Sequence, residues 1–131
     1  MFWKNLNSLI LCSLLLFGCY PSPKVGYNVI VMKKDGFELF HSSPLRGVNL
    51  LDSGNMFSFD LSDSDVEQLV EMRKFFDGPT TMEVYVGTTF YSEATINFDG
   101  LGVEDSESPS LKMNVSEKGL DPFKEVGIRI R

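Results

Sequence analysis

Cation binding is the first chemistry that the residue types suggest, because several carboxylates stand close together in the middle of the chain. They are Asp60, Asp63, Asp65 and Glu67. Hard cations such as Ca²⁺ bind carboxylate oxygens on a flexible loop, and the EF-hand loop also needs Gly at its sixth position and Glu at its twelfth. Counted from Asp63, those positions hold Gln68 and Lys74. Helix capping explains the same carboxylates without a metal, and we favour it over calcium.

A second acidic cluster consists of Glu104, Asp105 and Glu107. It lies in residues 99–110, whose acidic composition with Gly and Pro predicts an exposed loop. The cluster offers a surface to a basic protein partner or a weak site for Ca²⁺, while the simpler interpretation is a solvated loop tip. Of the acidic patches in this sequence, it is the one we expect to face a partner.

Catalysis has little support in the residue pattern. Glu83 and Glu93 are predicted to approach each other across a hairpin, and a carboxylate pair can supply an acid and a base to a hydrolase. His41 is the sole histidine, so a core or strand-end position is favoured over a catalytic or metal-binding one. The sequence has neither a Gly-x-Ser-x-Gly motif nor a phosphate-binding Gly-x-x-x-x-Gly-Lys motif. We expect a protein that is not an enzyme and has no catalytic residues, metal or cofactor, with a carboxylate-pair envelope hydrolase as the alternative.

The first element that positions these residues is a hairpin with Asp35-Gly36 as its turn. Its predicted strands are residues 27–34 and 37–42. Counted outward from the turn, the facing pairs are Lys33–Glu38, Met32–Leu39, Val31–Phe40 and Ile30–His41. The first pair joins opposite charges and the second is apolar, so the side chains support the register.

A second hairpin is predicted from residues 46–51 and 56–61, because Phe57, Phe59 and Leu61 alternate with polar residues. The pattern then changes to apolar spacings of three and four, which predicts a helix over about 63–76. Ser62, Asp63 or Ser64 can cap its start, and Ser64 with Glu67 fits a capping box. Gly-Pro at 78–79 ends it.

Strands resume at 81–86 and 90–98, and residues 111–115 and 126–130 alternate in the same way, with a turn over 119–122. The sequence therefore predicts a mostly β (α+β) fold. We expect a small antiparallel sandwich or open barrel of about eight strands with one central helix, formed by residues 27–131 as a single globular domain.

The front of the chain has the character of a secretion signal. Residues 9–17 are an apolar run too short to cross a bilayer, which needs about 20 residues. The segment Leu16-Phe17-Gly18-Cys19 that follows resembles the lipobox of bacterial lipoproteins. The resemblance implies that residues 1–18 are a cleaved signal peptide and that Cys19 is lipidated. An ordinary cleaved signal and an uncleaved signal anchor are the alternatives.

Residues 19–26 then form the lipidated Cys and a short tether, in which the seven residues 20–26 reach at most ~23 Å. The protein is expected at the cell envelope, on the periplasmic face of the outer membrane if the host has one, since Asp does not follow Cys19. Cys12 lies in the predicted signal, so cleavage leaves the domain without a free thiol.

Charge limits the partners of such a domain. The chain has a net charge of −6, and Lys4 is the only charged residue before Cys19, so the portion from Cys19 onward carries −7. This charge repels nucleic acid and favours a basic protein. We expect a lipid-anchored binding or accessory module, inhibitor- or immunity-like toward a basic partner, with membrane contact through the lipid.

Overall fold

The structure, a computed structural model, describes residues 27–131. The predicted signal segment 1–18 and the lipidated Cys with its tether, 19–26, lie outside these residues. The strands in chain order are β1 (Ile30–Lys34), β2 (Phe37–His41), β3 (Gly47–Leu51), β4 (Met56–Asp60), β5 (Pro79–Val86), β6 (Thr89–Asn97), β7 (Ser110–Asn114) and β8 (Arg129–Ile130). The α-helices are α1 (Asp63–Arg73) and α2 (Asp121–Glu125), and short 3₁₀ turns occupy Asp52–Gly54, Phe98–Gly100 and Val103–Asp105.

The strands form two four-stranded sheets, ordered β2-β1-β5-β6 and β7-β4-β3-β8. Every pairing is antiparallel except that of β3 with β8. The mostly β fold class is confirmed, and the two sheets are the sandwich alternative of the prediction. One cluster of buried apolar side chains contains residues of both sheets and both helices.

An aromatic trio joins the two sheets through the interior. Phe57 of β4 and Tyr91 of β6 both contact Phe123 of α2, with ring centroids 4.9 and 5.1 Å apart, in edge-to-face geometry. The Tyr91 hydroxyl donates to Gly119 O at 2.8 Å and accepts from Ser116 N at 3.0 Å. A buried phenol with both hydrogen-bonding roles filled packs without leaving an unsatisfied polar group.

The first hairpin turns as predicted, with positive φ at Asp35 (52°) and Gly36 (85°), as a type I′ turn requires. Lys33 faces Glu38, which confirms that pair. A bulge then shifts the register, so the predicted pairs Met32–Leu39, Val31–Phe40 and Ile30–His41 are wrong. The observed pairs beyond the bulge are Met32–Phe40 and Val31–His41. The extra residue lets Phe40 enter the core opposite Met32, and both side chains are fully buried.

The helix α1 begins at Asp63, as predicted, and one of the three predicted residues caps it, but its capping box starts two residues before the predicted one. Its N-cap is Ser62, whose side chain accepts from Asp65 N, while the Asp65 carboxylate accepts from Ser62 N. The predicted box of Ser64 with Glu67 is therefore wrong. The helix also ends at Arg73, short of the predicted residue 76.

The end of the chain departs most from the sequence-based expectation. Residues 121–125 form α2, with Pro122 in its first turn, where a missing N–H costs nothing, so the expected turn over 119–122 is wrong in part. The predicted strand 126–130 shrinks to β8, which runs parallel to β3. A Cβ on Gly47 would lie 3.0 Å from Arg129 O, so glycine permits this close approach.

Candidate functional site

The two acidic clusters of the sequence converge on one surface. Asp60 and Asp63, before and at the start of α1, line a depression together with Glu107 of the following loop. Glu67 and Glu71, on α1, line a second depression together with Glu104 of the same loop. We call these six carboxylates the acidic face. All six residues are exposed, so the face is available to a partner.

One ion pair fixes the loop to the helix within the acidic face. Arg73 donates from Nη1 to Oε1 of Glu104 and from Nη2 to Oε2, the latter at 2.8 Å. The hydrogen bond from Arg73 holds the pKa of the Glu104 carboxyl below its ordinary value, and that hydrogen bond raises the pKa of Arg73. Glu104 therefore holds its loop against α1 in addition to contributing to the acidic face. Asp105 and Glu107 belong to the same loop.

Only part of the acidic face is neutralised by the protein's own cations. Lys74 Nζ lies 3.0 Å from Oε2 of Glu71, and Arg73 binds Glu104. Within residues 27–131, Asp60, Asp63, Glu67 and Glu107 have no ion-pair partner. Val66 and Val70 line the same depression as Glu67, so the face also offers some apolar surface.

Asp65 serves as a structural residue rather than a cation ligand. It is 1% exposed, and its Oδ1 accepts from Ser43 N at 2.8 Å while Oδ2 accepts from Ser62 N at 2.9 Å. These donors fix the start of α1 against the loop that follows β2. The described part of the chain has no group of three or more His, Cys, Asp or Glu placed to hold a metal ion. The capping interpretation of the central carboxylates is thus confirmed for Asp65.

His41 stands at the end of β2 with an exposed side chain, which confirms the strand-end alternative and excludes the core one. Its Nδ1 lies 3.4 Å from Oε2 of Glu38. Its main chain bonds the carboxamide of Gln68. The residue thus connects the sheet edge to α1.

Glu83 and Glu93 do face each other across β5 and β6, as predicted. On its other side Glu83 faces Lys33, and Lys33 in turn faces Glu38. The four residues form a charged row across the first sheet, on its solvent side. The row provides a carboxylate pair on an open sheet surface.

Sequence reasoning missed a cleft between β6 and β7, with a volume of about 590 Å³. It is lined by residues 92–96 of β6 and by residues 112–116 at and beyond the end of β7, with Met56. The two strands belong to different sheets, so no local pattern could have indicated that they enclose a space. Each strand alone had been predicted correctly.

The protein is therefore a mostly β two-sheet sandwich that carries an acidic face and an open cleft. No helix of residues 27–131 is long and apolar enough to cross a membrane. No known family model, curated protein or solved structure matches the chain.

Proposed function

We propose that this protein is a lipoprotein of the bacterial cell envelope that binds a basic protein partner through its acidic face. The observation that carries the proposal is the convergence of two carboxylate-rich segments, distant in sequence, on one exposed surface. Clustered charges of one sign raise the rate at which an oppositely charged protein associates.

The proposed anchor defines where this partner is met. A lipidated Cys19 places the domain within ~23 Å of its membrane, since seven residues separate Cys19 from Tyr27. Two or three acyl chains on one residue hold a protein durably, whereas one chain holds it weakly. The partner is then a protein at the membrane surface, on the periplasmic side of the outer membrane where the host has one. An inhibitor or immunity role toward a basic enzyme or toxin fits this arrangement.

Crosslinking in intact cells tests the proposal. The chain is tagged after Arg131, crosslinked, and the captured proteins are identified by mass spectrometry, with Cys19→Ala as the unanchored control. We expect one dominant basic partner with the parent chain and loss of its capture with Cys19→Ala. The mass of the N-terminal peptide reports lipidation of Cys19 separately, so the anchor and the partner are judged independently.

Paired charge variants test the surface itself. The double variant Asp63→Asn with Glu107→Gln removes two carboxylates of the acidic face. Glu117→Gln with Glu125→Gln removes two exposed carboxylates elsewhere. We expect only the first variant to weaken partner binding and to reduce its dependence on salt. Equal loss in both variants would show that total charge, and not this surface, controls binding.

A carboxylate-pair hydrolase is the second candidate, because Glu83 and Glu93 face each other on adjacent strands. Its test is the hydrolysis of envelope polymers by the purified chain. An enzyme of this kind loses its activity when either residue is changed to the amide. The acidic-face variants leave it active.

A further inference from the structure

The four outer strands of the two sheets differ in how their edges are protected. An edge strand presents unpaired main-chain N–H and C=O groups that can bind another chain, and proteins usually cover or shorten such strands. On one side of the sandwich, β2 is covered at His41 by Gln68, and β8 has only two residues. On the other side, among the residues that the structure describes, β6 pairs only with β5, and β7 only with β4.

The unprotected edges face each other across the cleft between β6 and β7, which we call the β6–β7 cleft. The first residues of β6 are covered, since Lys118 Nζ donates to Phe90 O and the Tyr91 hydroxyl bonds the chain at Ser116 and Gly119. Residues 92–96 then line the open space. The cleft thus begins where the cover ends.

The cleft has an apolar floor and polar rims. The floor comprises Ala94, Ile96, Met113 and Val115, which are buried or half-buried side chains of the core or packed against it. The rims comprise the exposed residues Glu93, Thr95, Lys112 and Asn114. Inward and outward residues alternate along both strands, as they do in a sheet that is half covered.

We propose that the β6–β7 cleft binds an extended segment of a partner protein, which adds to β6 as a further strand. Main-chain groups of an edge strand bind the main chain of an added strand, and the alternating side chains of that strand supply specificity. β6 is the strand that receives it because six of its nine residues, about 20 Å of strand, follow the covered start, whereas β7 has five residues in all. The bound segment places apolar side chains toward Ala94 and Ile96 and polar ones toward solvent.

This proposal requires neither the lipid anchor nor the acidic face. The cleft is formed by β6, β7 and Met56, whereas the acidic face belongs to α1 and its neighbouring loops. A protein that uses both surfaces binds one partner by charge and an extended segment by strand addition. Each surface can be disabled without the other.

The test is peptide selection from a phage-displayed library of random dodecapeptides. The bait is the protein in the form that the host cell produces after processing, and it is purified in mild detergent. We expect enriched peptides with alternating apolar and polar residues. Two sets of N-methylated synthetic versions then probe the backbone, each set blocking every second amide. Only the set that blocks the amides facing β6 should lose binding, because N-methylation removes the donors of the ladder.

Protein variants complete the test. Ala94→Phe fills the floor of the cleft and should weaken the binding of the selected peptide by roughly tenfold or more. Leu39→Phe is the control, a smaller enlargement at a half-buried position on the covered edge β2, and should leave affinity unchanged. Three results overturn the proposal: no peptide is enriched, both N-methylated sets bind equally, or the chain sediments as a dimer through β6. The last result would assign the edge to a second copy of this chain.

Discussion

Gln68 hydrogen-bonds both main-chain groups of His41, accepting from its N–H at 2.8 Å through Oε1 and donating to its C=O at 2.9 Å through Nε2. A carboxamide has the same donor and acceptor pair as a peptide group, so this helix residue takes the place of a strand neighbour at the edge of β2. The edge is thereby closed where it meets α1.

Removal of this carboxamide should loosen the end of β2. In Gln68→Ala we expect the His41 amide to exchange with solvent roughly fivefold faster, because one net hydrogen bond contributes about 1 kcal/mol. Hydrogen exchange followed by NMR measures the change. Glu67→Ala, at an exposed neighbouring position of the same helix, is the control and should leave the amide protected. Equal exchange in the two variants would show that Gln68 does not protect the edge.

The Arg73–Glu104 pair predicts a pH dependence of the loop. The folded pKa of Glu104 is lowered, so the pair stabilises the fold above the ordinary pKa of a Glu carboxyl. This stabilisation is lost as the pH falls through the lowered folded pKa. Carboxyl titration by NMR should give Glu104 a lower midpoint than it has in Arg73→Gln. The contribution to stability is small, because both side chains are solvent-accessible. An unchanged midpoint in Arg73→Gln would exclude this cause.

Asp65 should be the carboxylate on which stability depends most. Asp65→Ala removes the cap and leaves Ser43 N and Ser62 N without their acceptor, so we expect a loss of about 2–4 kcal/mol in the free energy of unfolding. Asp63→Ala, exposed in the same first turn, should change it by less than about 1 kcal/mol. Urea denaturation measures both. Similar losses in the two variants would contradict the assigned cap.

Calcium should have no effect on stability. Both carboxylate oxygens of Asp65 already accept main-chain hydrogen bonds. The one buried carboxylate among Asp60, Asp63, Asp65 and Glu67 is therefore occupied within the fold and is not free to bind Ca²⁺. We expect the Tm to be the same in millimolar Ca²⁺ and in chelator. A ligand that binds only the folded chain raises the Tm, so an increase with Ca²⁺ would restore the calcium hypothesis.

The hydroxyl of Tyr91 should stabilise the core independently of its ring. Tyr91→Phe keeps the contacts with Phe57 and Phe123 but removes the bonds to Gly119 O and Ser116 N. We expect a loss of about 1–3 kcal/mol, since Ser116 N is left without its acceptor. Tyr85→Phe, on the solvent side of the first sheet, is the control and should change stability by less than about 0.5 kcal/mol. Chemical denaturation of the two variants should separate them clearly.

Local chemistry allowed much of the fold to be predicted. The Asp35-Gly36 turn and the Lys33–Glu38 pair were correct because a two-residue turn fixes its nearest neighbours. The bulge beyond them could not be foreseen, since it follows from the fit of Phe40 into a core built by distant strands. Similarly, residues 126–130 alternate as a strand does, but the packing of Phe123 favours a helix before them.

The candidate sites were predicted less completely. Each acidic cluster was recognised from its composition. That the two clusters lie on one surface follows from contacts such as the Arg73–Glu104 pair, which joins residues far apart in the sequence. The β6–β7 cleft depends on the order of strands in two sheets. Sequence periodicity indicates which face of a strand is buried but does not identify its neighbours.

The central position of β1 has a mechanical consequence. β1 lies between β2 and β5, and the chain just before it is bonded as well, since Leu45 N donates to Asn28 O and Gly87 N donates to Val29 O. A pull applied at Tyr27 along β1 therefore loads hydrogen bonds on both flanks together, in shear, because ladder bonds run across the strand. An edge strand under the same force would be held by hydrogen bonds on one flank only. The domain is thus built to resist tension at the very end where the proposed anchor would apply it.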